Sequence, residues 1–584
     1  MSVQSAKVEP LAVERPDIRR SSVLQRISWM LLLGTLVLLP YEYWLPQLAV
    51  GRFTVTTLEA VWGLALASWL AGLLVERRSP HIPMAILGGI SVMLLVGLAS
   101  AALADGDNAD ATVFVGRSAA GWLLFMSAAD QAVARRNVRQ PLVAIVVGAS
   151  VSAAIGLVLF ASPTLRQALH VHEFAAAGAP RLDGTYDYPN TAAMAWEAAA
   201  LLAVSLVAME TRRALAALWL GCVAVMVGAM VLTLSRGATA GAAIGMVAVA
   251  VVALLAGRRR LGVGILGAAA VLVIATLLIE IAVAPIARLF TDAEAGLYNA
   301  TYQAPASATL NQGAATVEVQ VTNTGTLTWN DAGQSDYSLG YHWLIPETGE
   351  IVADGADLTP LGTVAPGQTT TVEAVIHGPD SASGYQVGWD VTRDASGWFS
   401  IRGVPMVETA IQLGLPGGTG SLGSYAAVEP LVPPREDLWK AAIAMISERP
   451  LLGVGPGTYR LRYGSYLGMA TWDERAYAHN VYLEIGATTG IVGLLAFLFV
   501  VGLAIAPLVR SLARRRRVEP DPLFPEPRTW IALGAILAAV IAFLGHGLFD
   551  YFFGFNPING LWWATVALAL AAPLVVLPRL DETT

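Results

Sequence analysis

The 584-residue chain is 55% hydrophobic and only 14% charged, with a mean hydropathy of +0.59. Soluble proteins carry about 25% charged residues, so this composition excludes a cytosolic enzyme, a nucleic-acid-binding protein and a disordered scaffold, and it predicts a polytopic membrane protein. The net charge of −7 indicates little by itself, because a membrane protein records its orientation in the placement of its cations. The only cysteine, Cys222, lies in an apolar run, so neither a disulfide framework nor a thiolate metal site is available.

Apolar windows long enough to cross a bilayer, which takes about 20 residues, recur along the chain. We expect a mainly α-helical fold with about twelve transmembrane helices, nine within 27–284 and three within 481–577. The windows lie near 27–45, 56–75, 83–104, 112–130, 141–161, 191–210, 215–234, 238–256, 261–284, 481–509, 529–548 and 558–577.

Arginines concentrate in every second connection between these windows. By the positive-inside rule, this pattern predicts that the tails 1–26 and 578–584 are cytoplasmic. The first apolar run lacks a small-residue cleavage site and is therefore expected to stay in the protein. The arginines are Arg15, Arg19, Arg20, Arg26, Arg77, Arg78, Arg135, Arg136, Arg139, Arg212, Arg213, Arg258–Arg260, Arg510 and Arg514–Arg517.

The connection between the ninth and tenth windows is too long for a linker and changes composition at residues 298–412. Alternating β-rich runs there are separated by Gly, Pro, Asn and Asp, which predicts an all-β sandwich. This region resembles immunoglobulin-like modules of bacterial surface proteins. The resemblance rests on the stretches VTNTGTLTW and VAPGQTTTVEAVI and on Trp329, Trp343, Trp389 and Trp398. Such a domain is either a rigid spacer with the tryptophans in its core or a face that binds a glycan or a partner. The runs are Ala315–Val321, Tyr337–Ile345, Thr370–Ile376 and Tyr385–Val391.

Residues 413–480 follow as an extracytoplasmic loop. After a stretch rich in Gly, Ser and Pro, REDLWKAAIAMISERP places apolar residues at helical spacing and predicts an amphipathic helix at the membrane surface or against the bundle. Pro450 ends this helix. The glycines of GVGPGTY, residues 453–459, then allow the backbone to approach another segment closely.

Ionisable groups are costly inside a bilayer, so each one at helix depth is a functional candidate. Arg117 in FVGRSAAGW and Arg236 in LTLSRGATA present planar guanidinium groups that fit phosphate oxygens. Arg236 either holds an anion or is an interfacial side chain that reaches towards water. His546 and Asp550 are four residues apart on the eleventh predicted helix, and we expect them to pair with each other; the alternative is that they help to shape a site.

His479 lies where the large loop re-enters the membrane, in AHNVYLEIGATTGIVG. A neutral imidazole there can accept a proton from a hydroxyl. His479 and Asn480, followed after nine residues by Gly490 and then by Gly493, resemble the signature of the O-antigen ligase and O-antigen polymerase superfamily. Three further stretches agree with the same family, namely LTLSRGATAGAAIGM, RLDGTYDYPNTAAMA and REDLWKAAIAMISERPLLGVGPGTY.

The resemblance implies an enzyme of the bacterial cytoplasmic membrane that transfers a glycan from undecaprenyl diphosphate to an acceptor hydroxyl at the outer face of that membrane. It also implies that His479 is the general base and that arginines bind the diphosphate. Arg236 and Arg435 match the arginines of the family motifs, and Arg449, Arg181 and Arg117 are further candidates for the same role. Asn480 is expected to orient the histidine or the acceptor, and Asn190 belongs to one of the matching motifs. Gly490 and Gly493, one turn apart on the tenth predicted helix, are expected to let two helices pack closely.

The expected partners are the lipid-linked donor, a glycan, lipid or protein acceptor and the membrane, with no nucleic acid, no metal and no other cofactor. The acidic run 105–110, DGDNAD, has the composition of a hydrophilic turn. The sequence leaves ligase, polymerase and O-linked protein oligosaccharyltransferase open, because they share donor chemistry. The family pattern lacks the inserted β domain, so the sequence does not identify the acceptor. A polysaccharide or lipid transporter, or an envelope scaffold, remains the alternative of another class.

Overall fold

A computed structural model describes residues 23–576, with gaps at 51–52, 105, 170–173, 177–178, 284–298, 327, 331–336, 347–348, 350, 356, 379–381, 383, 394–396, 401–403, 417–432, 434, 470–471 and 515–526. Most of the N-terminal tail, the C-terminal tail and most of the Gly/Ser/Pro-rich stretch predicted from the sequence therefore lie outside the described residues.

Twelve helices in the described part of the chain are long and apolar enough to cross a membrane, which confirms the predicted windows. Three shorter helices lie between them: α6 (Pro163–Ala168), α11 (Arg435–Glu448) and α12 (Tyr459–Tyr466). The long helices are α1 (Val23–Leu38), α2 (Thr57–Glu76), α3 (Met84–Ala102), α4 (Asn108–Ala134), α5 (Arg139–Ala161), α7 (Pro189–Met209), α8 (Arg213–Leu232), α9 (Arg236–Leu255), α10 (Arg259–Val283), α13 (Val481–Arg514), α14 (Pro527–His546) and α15 (Asn556–Val576).

The helices α7, α14 and α15 form the interior of the bundle. Most of their residues are buried, whereas only 22% of the span is buried in each of α8 and α10. Helix α7 begins with Pro189 at its first position, where the missing N–H has no helical partner to lose. The start of α7 and the end of α14 lie beside each other, and the site described below lies at these two helix ends.

Residues 300–413 form the inserted all-β region, as the alternation of the sequence predicts. Two short hairpins precede it in the helical part, β1 (Gln47–Val50) with β2 (Phe53–Thr56) and β3 (Phe174–Ala176) with β4 (Ala179–Arg181). The inserted strands are β5 (Ala300–Gln303), β6 (Ser307–Leu310), β7 (Ala314–Asn323), β8 (Tyr337–Leu344), β9 (Ile351–Asp354), β10 (Thr359–Pro360), β11 (Thr369–His377), β12 (Gln386–Arg393), β13 (Gly397–Trp398) and β14 (Val407–Leu413).

Two sheets enclose one hydrophobic core in this region. One sheet has the order β10-β8-β12-β14-β6, with β9 on β8 and β13 on β12, and the other has the order β11-β7-β5. Trp329, Trp343 and Trp389 are fully buried and Trp398 is 5% exposed. The four tryptophans therefore pack the core, as the spacer interpretation expects, and none of them presents an exposed stacking surface for a sugar.

Helix α11 buries Leu438, Ala441, Ala442 and Met445, the apolar positions predicted from the sequence. These side chains share a hydrophobic cluster with Val454, Tyr459 and Tyr463 and with Ala487 of α13. The amphipathic helix thus packs against the bundle through α12 and the first turns of α13.

Helix α13 is interrupted at Gly490, where φ is 69° and ψ is −178°. The expectation that Gly490 and Gly493 let two helices pack closely is therefore wrong for Gly490, which breaks the helix instead. The turn after α11 fills the break: the Ile491 amide donates to the Pro450 carbonyl at 2.8 Å, and the Val454 and Gly455 amides donate to the carbonyls of Ala487 and Thr488. A Cβ on Gly490 would lie 2.2 Å from the Leu451 carbonyl, so only glycine allows this approach.

Candidate active site

A cavity of about 840 Å³, lined by both charged and apolar side chains, opens at one end of the helix bundle. Sites for small ligands usually have volumes of about 300–1,000 Å³. Its wall is built from the first turns of α4 and α7, from α12 and the segment that follows it, and from the connection between α14 and α15. The lining residues are Asp110, Val113, Phe114, Arg117, Asp187, Tyr188, Asn190, Thr191, Met194, Gly457, Arg460, Asp473, Glu474, Arg475, Ala476, Tyr477, His479, Asp550, Tyr551, Phe552, Gly554 and Phe555.

His479 and Asp550 form a hydrogen-bonded pair in this wall. The Nδ1 atom of His479 lies 3.0 Å from Oδ1 of Asp550, and the imidazole side chain is 25% exposed. Burial by itself raises the pKa of Asp550, but the hydrogen bond and charge of His479, together with the charges of His546 and Arg435, hold it below its ordinary value. Asp550 is therefore ionised at neutral pH and accepts the Nδ1 proton, which leaves Nε2 of His479 as the basic nitrogen.

The start of α13 fixes the backbone of His479. Asn480 caps this helix, because its Oδ1 accepts the amides of Tyr482 and Leu483, each at 3.0 Å. The Nδ2 of Asn480 donates to the Leu548 carbonyl at 3.0 Å, so the same side chain ties the helix to the segment that carries Asp550. His479 itself has a left-handed backbone, with φ of 47°. The expectation that Asn480 orients the histidine is consistent with these contacts.

Asn190 and Arg181 extend the pair into a chain of polar contacts. Asn190 donates from Nδ2 to Oδ2 of Asp550 at 3.1 Å, and Arg181 donates from Nη2 to Oδ1 of Asn190. Arg181 also donates to the Thr233 carbonyl at 2.7 Å and lies over the ring of Tyr188. Arg181 therefore binds Asn190, which in turn binds Asp550. The sequence suggested instead that Arg181 contacts a diphosphate.

Three arginines line the cavity with His479. Arg117 comes from α4, and no hydrogen bond of its side chain is found among the described residues. Arg460 donates to the Glu474 carbonyl, and Arg475 pairs with Asp473. Burial and the charge of Glu484 raise the pKa of the Tyr477 hydroxyl, while the charges of Arg460 and Arg117 oppose that change, so both cations lie within electrostatic range of Tyr477. Sequence reasoning found Arg117 but missed Arg460 and Arg475; their closeness to His479 in the chain was the available signal.

The other arginines predicted from the sequence lie outside the described lining of this cavity. Arg236 is the first residue of α9, directly after the capping Ser235. Arg435 begins α11, and its charge contributes to the low pKa of Asp550, so it lies within electrostatic range of the pair. Arg449 donates to the Leu103 carbonyl at the end of α3 at 2.8 Å, which anchors α11 to the bundle.

His546 and Asp550 do not pair with each other, which corrects the sequence-based interpretation. Helix α14 ends at His546, and Asp550 lies beyond it in the connection to α15. The His546 imidazole contacts Glu197 of α7 at 2.8 Å, and both side chains are buried. The chain turns at the end of α14, so the two side chains no longer share a helical face.

The described residues contain no cluster of three or more His, Cys, Asp or Glu side chains arranged to hold a metal ion. Asp107 of the acidic run pairs with Arg462, and Asp110 lines the cavity.

Twelve candidate spans among the described residues, with this cavity at one end of the bundle, define a multi-pass membrane protein with a candidate active site beside the large inserted loop. Residues 397–498 match the family described as O-antigen ligase. The matched stretch includes α11, α12, His479 and the break at Gly490, whereas the stretches around Arg181 and Arg236 lie outside it. No curated protein matches the chain.

Proposed function

We propose that this protein transfers a glycan from a polyprenyl diphosphate, such as undecaprenyl diphosphate, to an acceptor hydroxyl, with His479 as the general base. The observation that carries the proposal is the pairing of His479 with the ionised Asp550 in the wall of a cavity lined by arginines. The match of residues 397–498 to the O-antigen ligase family supports this chemistry, since it includes the histidine and the loop that completes the cavity.

The transfer step has a simple proton balance. Nε2 of His479 takes the proton of the acceptor hydroxyl while the oxygen attacks the anomeric carbon of the donor sugar. The bond between that carbon and the diphosphate oxygen breaks, and the polyprenyl diphosphate leaves with its electron pair. Asp550 keeps the imidazole oriented and stabilises the imidazolium that forms, as a buried carboxylate does for other histidine bases.

The departing diphosphate gains negative charge, so the site requires fixed cations. Arg117, Arg460 and Arg475 are the candidates that the cavity supplies, and a guanidinium group holds phosphate oxygens in a bidentate manner. Arg435 acts at longer range through its charge. Arg236 and Arg449 stay candidates from the sequence, and neither belongs to the described lining of the cavity.

The cavity faces the outer side of the cytoplasmic membrane in this proposal. The cavity is lined by the first turns of α4 and α7, and the arginine-rich connections 135–136 and 212–213 lie at the opposite ends of these two helices. The positive-inside rule assigns the arginine-rich ends to the cytoplasm. A flipped, lipid-linked glycan would then meet His479 at the outer surface.

Transfer in proteoliposomes tests this function. Purified protein would be reconstituted with a polyprenyl-diphosphate-linked oligosaccharide, and lipid, glycan and protein acceptors would be supplied in separate reactions. His479→Ala is expected to reduce transfer about 100- to 10,000-fold, the usual contribution of general acid–base catalysis. His377→Ala is the matched control, because His377 is an exposed histidine that pairs with Asp357 in the β domain, away from the cavity lining.

Equal transfer by wild type and His479→Ala would remove the proposed base. Movement of the donor across the bilayer by wild type, without transfer to any acceptor, would replace the proposal with the transporter alternative. The acceptor that is used would distinguish a ligase, a polymerase and an O-linked protein oligosaccharyltransferase.

A further inference from the structure

A second pair of a histidine and a carboxylate lies beside the candidate base. His546 of α14 and Glu197 of α7 are both 1% exposed, and Nδ1 of His546 lies 2.8 Å from Oε2 of Glu197. The other carboxylate oxygen of Glu197, Oε1, is buried and has no hydrogen-bond partner in the described part of the chain. A buried carboxylate oxygen without a hydrogen-bond partner destabilises a fold, so packing alone does not explain this pair.

Helix α9 closes over this pair with two glycines. A Cβ on Gly237 would lie 2.7 Å from Nε2 of His546, and a Cβ on Gly241 would lie 2.2 Å from Oε1 of Glu197. The two glycines are four residues apart and so share one face of α9. Gly237 and Gly241 thus bring the backbone of α9 close to the pair without adding a titratable side chain. The His546–Glu197 pair is buried between α7, α9 and α14.

The backbone connects His546 to Asp550. The carbonyl of His546 accepts the amides of Phe549 at 2.8 Å and of Asp550 at 3.1 Å. Residues 546–550 therefore form a compact corner, which we call the α14 corner, and a displacement of its first residue moves its last. The side chain of His546 is the part of the corner that is anchored in the bundle.

Helix α7 contacts the α14 corner at both ends. Asn190 donates to Asp550, and Glu197 bonds to His546. These two α7 residues are seven positions apart, about two helical turns, and so lie on the same face of the helix. One rigid, buried helix thus sets the positions of both ends of the corner.

We propose that Glu197 and His546 are positioning residues that hold the α14 corner so that Asp550 stays within hydrogen-bond distance of His479. This inference rests on the proposed function and deepens it. In this proposal the hydrogen bond between Glu197 and His546 holds the α14 corner, so the negative charge of Glu197 is not required. Glu197→Gln preserves the acceptor oxygen for Nδ1–H of His546, whereas Glu197→Leu removes it at similar volume.

Other charged residues line the cavity together with His479 and stay unchanged in these variants. They are Asp110 and Arg117 on α4, Asp187 before α7, Arg460 on α12 and residues 473–475.

Steady-state transfer and hydrogen exchange test the positioning role. Glu197→Leu is expected to lower kcat about 10- to 100-fold, as a small misplacement of a catalytic group does, with the donor KM unchanged, and Glu197→Gln is expected to stay within about threefold of wild type. In the Asp550→Asn background, Glu197→Leu should cost no further activity, because Glu197 acts through Asp550. Amides of Phe549 and Asp550 should exchange faster in Glu197→Leu and at the wild-type rate in Glu197→Gln.

Three outcomes would overturn the inference: unchanged exchange and kcat in Glu197→Leu, equal losses in Glu197→Gln and Glu197→Leu, or an undiminished loss when Glu197→Leu is added to Asp550→Asn. The exchange measurement needs no substrate. If wild type transfers no glycan, the proposed function fails while exchange at Phe549 and Asp550 still decides whether Glu197 holds the corner.

Discussion

Gly490→Ala is predicted to destabilise the protein and to distort the cavity. Alanine at φ 69° and ψ −178° costs about 1–3 kcal/mol. Its Cβ would also meet the Leu451 carbonyl carbon and oxygen at 2.2 Å and the Leu452 nitrogen at 2.5 Å. Overpacking of this kind costs about 1–3 kcal/mol more, and here the obstacle is backbone, which cannot rotate away. We therefore expect a total loss of about 2–6 kcal/mol.

The control for this substitution lies on the same helix. A Cβ on Gly502 meets no atom within 4 Å, so Gly502→Ala is expected to leave stability unchanged or to raise it by about 0.5–1 kcal/mol. Unfolding in detergent, followed by tryptophan fluorescence at several denaturant concentrations, would compare the two variants with wild type. Transfer activity in the same detergent would report on the cavity.

The activity of Gly490→Ala should fall with its stability, because the turn that fills the break continues into the cavity wall. Gly457 and Arg460 follow the backbone bonds that Val454 and Gly455 make to α13. If Gly490→Ala unfolds at the same denaturant concentration as Gly502→Ala and keeps full activity, the turn does not depend on this break and the reasoning is refuted.

Further predictions concern the base, the cations and the β domain. Asp550→Asn should lower kcat by about 100- to 10,000-fold with the fold retained; wild-type kcat in this variant would show that the carboxylate does not orient His479. Arg460→Gln should raise the donor KM more than the control Arg462→Gln, because Arg462 pairs with Asp107. Equal donor KM values in the two variants would show that Arg460 does not bind the diphosphate. Arg181→Gln should lower kcat without raising the donor KM, because Arg181 holds Asn190; a raised KM would restore its role in diphosphate binding. In the β domain, burial lowers the pKa of His342, but its hydrogen bonds to Asp354 and Asp390 outweigh burial and raise it. The protonated imidazole of His342 therefore stabilises the folded β domain fully below the unfolded pKa of about 6.5, and this contribution is lost as pH rises through the higher folded pKa. Amide protection of β8 and β12 should accordingly decrease towards alkaline pH in wild type and not in His342→Gln. Protection that is independent of pH in both proteins would contradict the raised pKa of His342.

The membrane helices, the amphipathic helix α11 and four of the strands were predictable from local patterns. Apolar windows of about 20 residues mark spans because the backbone of a bilayer segment must satisfy its own hydrogen bonds. Strand alternation located β7, β8, β11 and β12 to within two residues. Both signals depend on residues that are close in sequence.

The partners in the site were not predictable, because they are far apart in the chain. Asn190 and Asp550 are separated by 360 positions and His546 and Glu197 by 349. Helical spacing assigned His546 to Asp550, whereas α14 ends between them and each side chain finds a partner on another element. Gly490 was read as a helix-packing glycine because nothing in the local sequence reveals that the turn 450–455 occupies the break.

The attachments of α11 and α12 have an evolutionary consequence. Arg449 binds the end of α3, Arg462 binds Asp107 before α4, and Gly455 binds Thr488 of α13, so this loop is fastened to the bundle on its own. The β domain has a separate hydrophobic core and precedes these fastenings in the chain. Substitutions and length changes in the β domain can therefore accumulate without moving the segment that carries α11, α12 and the candidate base His479.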